Sequence, residues 1–287
     1  MTTSGAANDS FNVAVERQIG RYGDKPFLTW YDDHRDERIE LSYKTFGNWV
    51  AKTANLLVDE LGAGPGDRAG VLADHWQVPV LVAACWRAGV CVVDLESRGP
   101  DPSGGQQAPP RTPPDLVAAF VHEERLDDVS VPDGVPVFAL AADPLGRAGR
   151  DLGRAQSFSG IVPSMGDVFD AAADPPGDAM VASDGTATMD GLLERTAALA
   201  ARTGLGEDDR LLSGRRLLTL DGVVAGLLAP LACGVGVVLV HGLDPARFWK
   251  RVADERVAVA VVDPGQAAAV LDAGPETGSP LRVLVDD

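Results

Sequence analysis

Two stretches constrain the fold more than any others in this chain. Trp76 to Ala88 is apolar nearly all round, Gly89 follows, and Val90 to Leu95 is a second unbroken apolar run. Asp221 to Cys233, Gly234 and Val235 to Val240 repeat the arrangement. A helix apolar on every side is a buried helix. Glycine tolerates the left-handed backbone that ends one. A valine-rich run without alternation fits a strand covered on both faces, as in a parallel sheet. Similar turns precede both copies: Gly62-Ala63-Gly64-Pro65-Gly66-Asp67-Arg68 and Gly204-Leu205-Gly206-Glu207-Asp208-Asp209-Arg210. The repeat predicts an α/β fold of two similarly wound αβαβ subdomains with mainly parallel sheets and right-handed crossovers. It also predicts packing about a pseudo-two-fold with a cleft between them, and clefts and carboxyl ends of parallel strands are where ligands bind by default.

The remaining pattern fills in the two halves. Phe11 to Gly20 reads as an amphipathic helix, and Pro26 to Tyr31 with Arg38 to Leu41 reads as a hairpin whose turn, Asp32 to Asp36, is solvated. Ser42 caps the next helix, which presents Phe46, Trp49, Val50, Ala54, Leu57 and Leu61 on one face. Residues 97–114 are rich in Gly, Pro, Ser and Gln and read as a flexible loop. Val135 to Ala141 is a strand and Met165 to Ala173 a short helix. Asp174-Pro175-Pro176-Gly177 marks the subdomain boundary, giving a first subdomain over 1–177 and a second over 178–287. In the second half Asp244-Pro245 and Asp263-Pro264 each place a cap before a proline at the first helical position. Val257 to Val262 and Leu281 to Val285 complete the strands.

Composition narrows the partners. With 42 acidic against 25 basic residues the net charge is −17. Nucleic acid is not expected, because phosphate binding needs a basic footprint. Gly222 to Val240 is uncharged over nineteen residues, close to a spanning length of ~20. Pro230, Gly234 and Gly236 make it a buried helix, a stop and a strand, so no membrane segment is expected. Cys85, Cys91 and Cys233 lie in apolar runs without metal-like spacing and read as reduced thiols. Met1 to Ser10 lacks the apolar core of a signal peptide. A cytoplasmic protein is the expectation. His75 and Trp76 read as packing residues, and His122 and His241 have no nearby acid–nucleophile pattern.

Leu41-Ser42-Tyr43, Gly66-Asp67-Arg68 and Ala88 to Leu95 resemble the "LTY", "GDRV" and "AGAVVVPL" stretches of the adenylate-forming superfamily: acyl-CoA synthetases, peptide-synthetase adenylation domains and luciferases. Asp208 to Leu212, Gly226 to Gly234 and Asp244 to Phe248 resemble its "DDRVL", "GLLAPLLAG" and "FDPEAF" stretches. The resemblance covers most of the chain and implies the fold of the superfamily's N-terminal domain, in a short bacterial side-group. Leu281 to Val285 resembles the strand before the family's "SGGAPL" loop. The magnesium-binding Thr-Glu motif, the ribose aspartate and the C-terminal domain with its catalytic lysine follow that point in the family.

The family's phosphate loop, S/T-S-G-S/T-T-G-x-P-K-G, falls on Ser183 to Gly191. Ser183, Gly185, Thr186 and, across a one-residue gap, Gly191 match it. Asp184, Ala187 and Thr188 depart from it, and Asp190 stands where proline and lysine belong. A phosphate loop needs free N–H donors and cationic help, and this one offers two carboxylates. The "P-L-F-H-x-x-G" segment falls on Arg216 to Gly222, with Thr219 at the histidine. The expectation is therefore a degenerate phosphate-loop position with no catalytic residues, no metal ligands and no cofactor. ATP, AMP and magnesium enter only if the cleft is functional. The leading reading is a catalytically inactive scaffold, a pseudoenzyme acting as a binding or regulatory module for an unknown small molecule or protein. A second reading is a ligase half that needs a partner chain or uses a rebuilt cleft with Asp184, Thr186, Thr188 and Asp190 as its polar groups. A third is an interaction module whose uncovered apolar face meets a partner or a second copy. Apart from these roles, Thr188 is an N-cap for the helix at Met189, and Asp190 suits the positive end of its dipole.

Overall fold

The computed structural model describes residues 10–96, 115–141, 143, 151–171, 174–274 and 282–285. The loop expected over 97–114 lies outside them. The order of elements is α1 (Phe11–Tyr22), β1 (Pro26–Asp32), β2 (Glu37–Ser42), α2 (Tyr43–Asn55), β3 (Arg68–Leu72), α3 (Val78–Arg87), β4 (Cys91–Asp94), β5 (Leu116–His122), β6 (Val137–Leu140), β7 (Gln156–Ser157) and α4 (Phe158–Ile161). After these come β8 (Asp178–Ala182), β9 (Gly185–Thr188), α5 (Met189–Thr203), β10 (Arg210–Ser213), α6 (Leu220–Val223), α7 (Ala229–Cys233), β11 (Gly236–His241), α8 (Pro245–Asp254), β12 (Val259–Val262), α9 (Pro264–Asp272) and β13 (Arg282–Val285). Single π-helical turns extend α2 over Leu56–Glu60 and join α6 to α7 over Val224–Leu228.

The strands form two sheets, one in each of two compact units. In the first unit the order is β13-β12-β10-β11-β1-β2, and in the second it is β7-β6-β5-β3-β4-β8-β9. Both are parallel apart from one hairpin each, β1–β2 and β8–β9. Setting β7 aside, the two orders superpose strand for strand: β6 on β13, β5 on β12, β3 on β10, β4 on β11, β8 on β1 and β9 on β2. The duplication is thus longer than the two-strand repeat visible in the sequence.

Local chemistry explains why the copies wind alike. The Gly64 N–H donates to Asp67 Oδ2 at 2.8 Å, and the Gly206 N–H donates to Asp209 Oδ2 at 2.9 Å. These aspartates tie off the same turn before β3 and β10. Gly89 and Gly234 both take the left-handed backbone, with φ of 75° and 70°. The next N–H closes each helix end, Val90 onto the Cys85 carbonyl at 2.8 Å and Val235 onto Pro230 at 3.0 Å. All ten residues of α3 are buried. One core gathers Leu72, Val93, Ala119, Val121 and Val137, and the other gathers Leu212, Val238, Phe248, Val252 and Ala260.

Three expectations are corrected. The boundary does not fall at 177. The first unit is Met1–Phe46, Leu192–Leu217 and Asp221–Asp287, and the second is Gly47–Gly191 with Leu218–Leu220. The cause is strand pairing. The hairpin β1–β2 joins the sheet of the C-terminal half through Leu28 opposite Val237, and β8 joins the other sheet through Met180 opposite Val92. Neither hairpin stays with the strands that follow it in sequence. Second, residues 165–171, the described part of the range expected as a helix from Met165 to Ala173, form none. Side chains take their carbonyls instead: Lys52 bonds those of Pro163 and Met165, Asn55 those of Gly166 and Val168, and Arg87 that of Phe169. Third, the turn after β1 is not wholly solvated, because Asp32 is buried and the Asp33 side chain is 2% exposed.

Candidate functional site

The stretch Ser183 to Gly191 is not one loop. Ser183 and Asp184 are the two-residue turn between β8 and β9, with Ala182 opposite Gly185. Among the described non-glycine residues only Asp36 and Arg256 have positive φ, so both turn residues keep ordinary backbone and the unusual angle, 143°, falls on Gly185. A Cβ there would stand 3.3 Å from Leu220 Cδ1. Thr186 lies on β9 opposite Val181, and Ala187 lies opposite Met180. Thr188 ends β9 and caps α5: its Oγ1 accepts the Gly191 N–H at 3.2 Å. Asp190 is in the first turn of α5, near its positive end. The sequence-level match of Gly191 to a phosphate-loop glycine therefore fails, because Gly191 is helical.

This geometry decides what the segment can do. A phosphate-binding loop aims several consecutive backbone N–H groups at one point. Along a strand, successive N–H groups point to opposite sides. Residues 185–188 are a strand, so they form no such nest. The turn adds a carboxylate to this. Both oxygens of Asp184 lie 3.0 Å from the backbone N of Leu220, the first residue of α6. An anion belongs at the amide end of a helix, and the chain supplies its own. Thr219, at the position of the family's histidine, directly precedes that amide.

The carboxyl ends of β10 and β12 carry a charged cluster of which the sequence singled out only Asp263, as a helix cap. Arg215 is buried, with its guanidinium 3.4 Å from Asp221 and 3.7 Å from Asp263. Arg195 also meets Asp221 at 2.9 Å. Burial pushes the Asp263 carboxyl above its ordinary range, and the nearby Arg215 charge offsets only part of that. Asp263 was expected to cap α9, but its side chain makes no cap bond. Asp244 does cap α8, accepting the Ala246 N–H at 2.9 Å. The Arg215 signal was present as an isolated Arg-Arg pair after a strand, but its partners lie 6 and 48 positions downstream.

A second cluster lies where β1 and β11 end. Arg251 and Asp33 form a buried two-point ion pair, and the Arg251 guanidinium stacks over Tyr31 at 4.2 Å. Glu255 accepts hydrogen bonds from Tyr31, Arg38 and Arg210. Burial alone would raise the Glu255 carboxyl, but these donors hold it below its usual value. In the other unit His75 and His122 are buried, with rings 5.7 Å apart, in line with a packing role. Among the described residues no group of three or more His, Cys, Asp or Glu could hold a metal ion, and no helix is long and apolar enough to cross a membrane.

Comparison with known proteins agrees with this scaffold. The family of AMP-binding enzymes matches residues 15–103. A TIGR03089 family protein of Mycobacterium tuberculosis is 34% identical over 238 residues, spanning 81% of this chain and 89% of its own length. Among solved structures, the acyl-CoA synthetase of Brucella canis superposes with a TM-score of 0.73 at 17% identity, over 95% of this chain and 52% of that one. A benzoate CoA ligase from Burkholderia xenovorans gives 0.72 at 19% identity, over 96% and 55%. The chain therefore spans about half the length of these two ligases. Its fold is that of their N-terminal portion.

Proposed function

The chain belongs to the TIGR03089 family, and from that premise we propose that it is a non-catalytic adenylate-forming scaffold acting as a binding or regulatory module. One observation carries the reading. At the place of the phosphate loop two residues turn the chain, and the Asp184 carboxylate takes the Leu220 amide. The residues present do not fit the phosphates of ATP. A triphosphate brought to this corner meets a carboxylate already bonded to the helix amide and a strand whose N–H groups diverge, and neither residue of the Ser183–Asp184 turn is a cation. Displacing Asp184 would set two anions against each other in place of one charge-assisted bond. Function follows from the site and not from the fold, and this site lacks the donors that adenylation requires.

The test is exchange of labelled pyrophosphate into ATP by the purified chain, run against a panel of aliphatic, aromatic and amino acids with magnesium. No exchange above the protein-free rate is the expected result. Acid-dependent exchange would refute the non-catalytic reading and favour a ligase with a rebuilt site.

A further inference from the structure

The corner of the first unit that corresponds to the Ser183–Asp184 turn is the β1–β2 turn, since β8–β9 superposes on β1–β2 in strand order. It is built very differently. A cavity of about 350 Å³ opens there, bounded by the carboxyl end of β1, the turn at Asp36 and one face of α8. That volume is at the small end of the ~300–1,000 Å³ usual for ligand pockets. Its position also follows the rule that ligands bind outside the carboxyl ends of parallel strands. Here Asp32 and His241 end β1 and β11 in register.

The wall combines a fixed floor with loosely held charges. Asp33 and Arg251, with side chains 2% and 7% exposed, form the floor with Tyr31 beneath the guanidinium. Above them Arg247 reaches Asp36 at 2.7 Å, with side chains 45% and 85% exposed. Lys250 pairs with Asp254, and both are more than half exposed. Exposed pairs of this kind contribute little to stability, so opening them costs little. Five carboxylates and four cations line the cavity. A ligand with a single charge of either sign would meet nearly as many like charges as unlike ones, or one more. Only a ligand carrying both signs gains on both sides.

We propose that this cavity binds a small zwitterion of the amino-acid type, its carboxylate on Arg247 and Lys250 and its ammonium on Asp36 and Asp254, inserted into ion pairs that close on each other in its absence. Arg247 is the specificity residue, because its planar fork matches a carboxylate at two points. Lys250 adds a point charge one helical turn away. The site lies within the first unit and is independent of whether Ser183 to Gly191 binds a nucleotide.

The experiment is calorimetric titration of the full chain with pools of the standard amino acids, and then with the best single one beside its amide and its N-acetyl derivative. Binding is expected for the zwitterion, with each singly charged derivative weaker by roughly 3-fold or more, because it leaves one side of the opened ion pairs without a partner. Arg247→Ala and Asp36→Asn should each weaken binding by a similar factor. Both positions are largely exposed, and an unchanged urea midpoint in each variant confirms that the fold is kept. Absence of binding by every pool at about 10 mM would overturn the proposal. Equal affinity for the singly charged derivatives, or binding that survives both substitutions, would also overturn it. Inorganic phosphate that binds in an Arg247-dependent way while no amino acid does would replace it with a plain anion site.

Discussion

Replacing Asp33 with asparagine tests how the first unit is held together. The Asp33 carboxylate bonds both terminal nitrogens of Arg251 and accepts the Asp244 N–H at 2.9 Å. Both partners of the ion pair are more than nine-tenths buried. Asparagine keeps the shape but leaves the Arg251 charge without a counter-ion in a poorly hydrated place. Breaking one side of a buried pair costs about 3–5 kcal/mol. For a chain of this size that corresponds to a drop in melting temperature on the order of 10 °C. The effect should depend on pH with a definite sign. Burial by itself would raise the Asp33 carboxyl, but the Arg251 bonds, the Asp244 N–H and the Arg247 charge outweigh it, and its pKa sits below the ordinary value. A carboxyl depressed in the folded state stabilises fully above its unfolded pKa, about 3.9, and loses that contribution as pH falls through the folded value. Urea titrations of wild type and Asp33→Asn from pH 7 down to pH 3 should show a constant gap above about pH 5 that narrows at the acid end. Adding Arg251→Met to the variant should recover most of the loss, because an apolar pair is often as stable as a buried ionic one. A gap under ~1 kcal/mol, or one as wide at pH 3 as at pH 7, would refute this account.

Thr188→Ala removes the acceptor of the Gly191 N–H and should cost about 1 kcal/mol in urea unfolding, the usual value of an N-cap. Asp190→Lys puts a cation at the positive end of α5 and should cost roughly 0.3–1 kcal/mol; an unchanged or raised midpoint would count against the capping role of this turn. Asp184→Ala frees the Leu220 amide and should lower stability by about 1 kcal/mol without creating ATP binding in calorimetry. Gly89→Ala forces a side chain into left-handed backbone with Pro65 Cα 3.0 Å away, and should destabilise by at least ~1–2 kcal/mol.

Much of the fold was legible because it is written locally. Apolar runs and the glycines at 89 and 234 act within a few residues, and those glycines end their helices as expected; the aspartates at 67 and 209, legible only as part of a repeat, close the matching turns. Ser42 and Thr188 likewise cap their helices through Thr45 and Gly191. What stayed illegible depends on distant partners. Asp33 read as a solvated turn residue because Arg251 is 218 positions away. The first hairpin read as a member of the nearest sheet because adjacency in sequence is the default for pairing, and the second did not read as a hairpin at all. The phosphate-loop comparison placed Ser183 to Gly191 on one loop because residue matching does not register how few residues connect two strands. Once β9 is seen to start at Gly185, the loop shrinks to Ser183 and Asp184.

The exchanged hairpins also set an order in time. Leu28 leaves the ribosome long before Val237, its strand neighbour about 200 residues later, exists. During that interval β1 and β2 have no sheet to join, and a two-stranded hairpin is marginal in water. The apolar side chains of Phe27, Leu28 and Trp30 must wait, exposed to any other strand or to a chaperone. Closing so long a loop adds little to the final free energy, about 0.6 kcal/mol for each doubling of length, but contacts this remote slow folding. The architecture therefore favours a slow, late-completing chain in which strands made about 200 residues ahead of their neighbours are among the last to find their place.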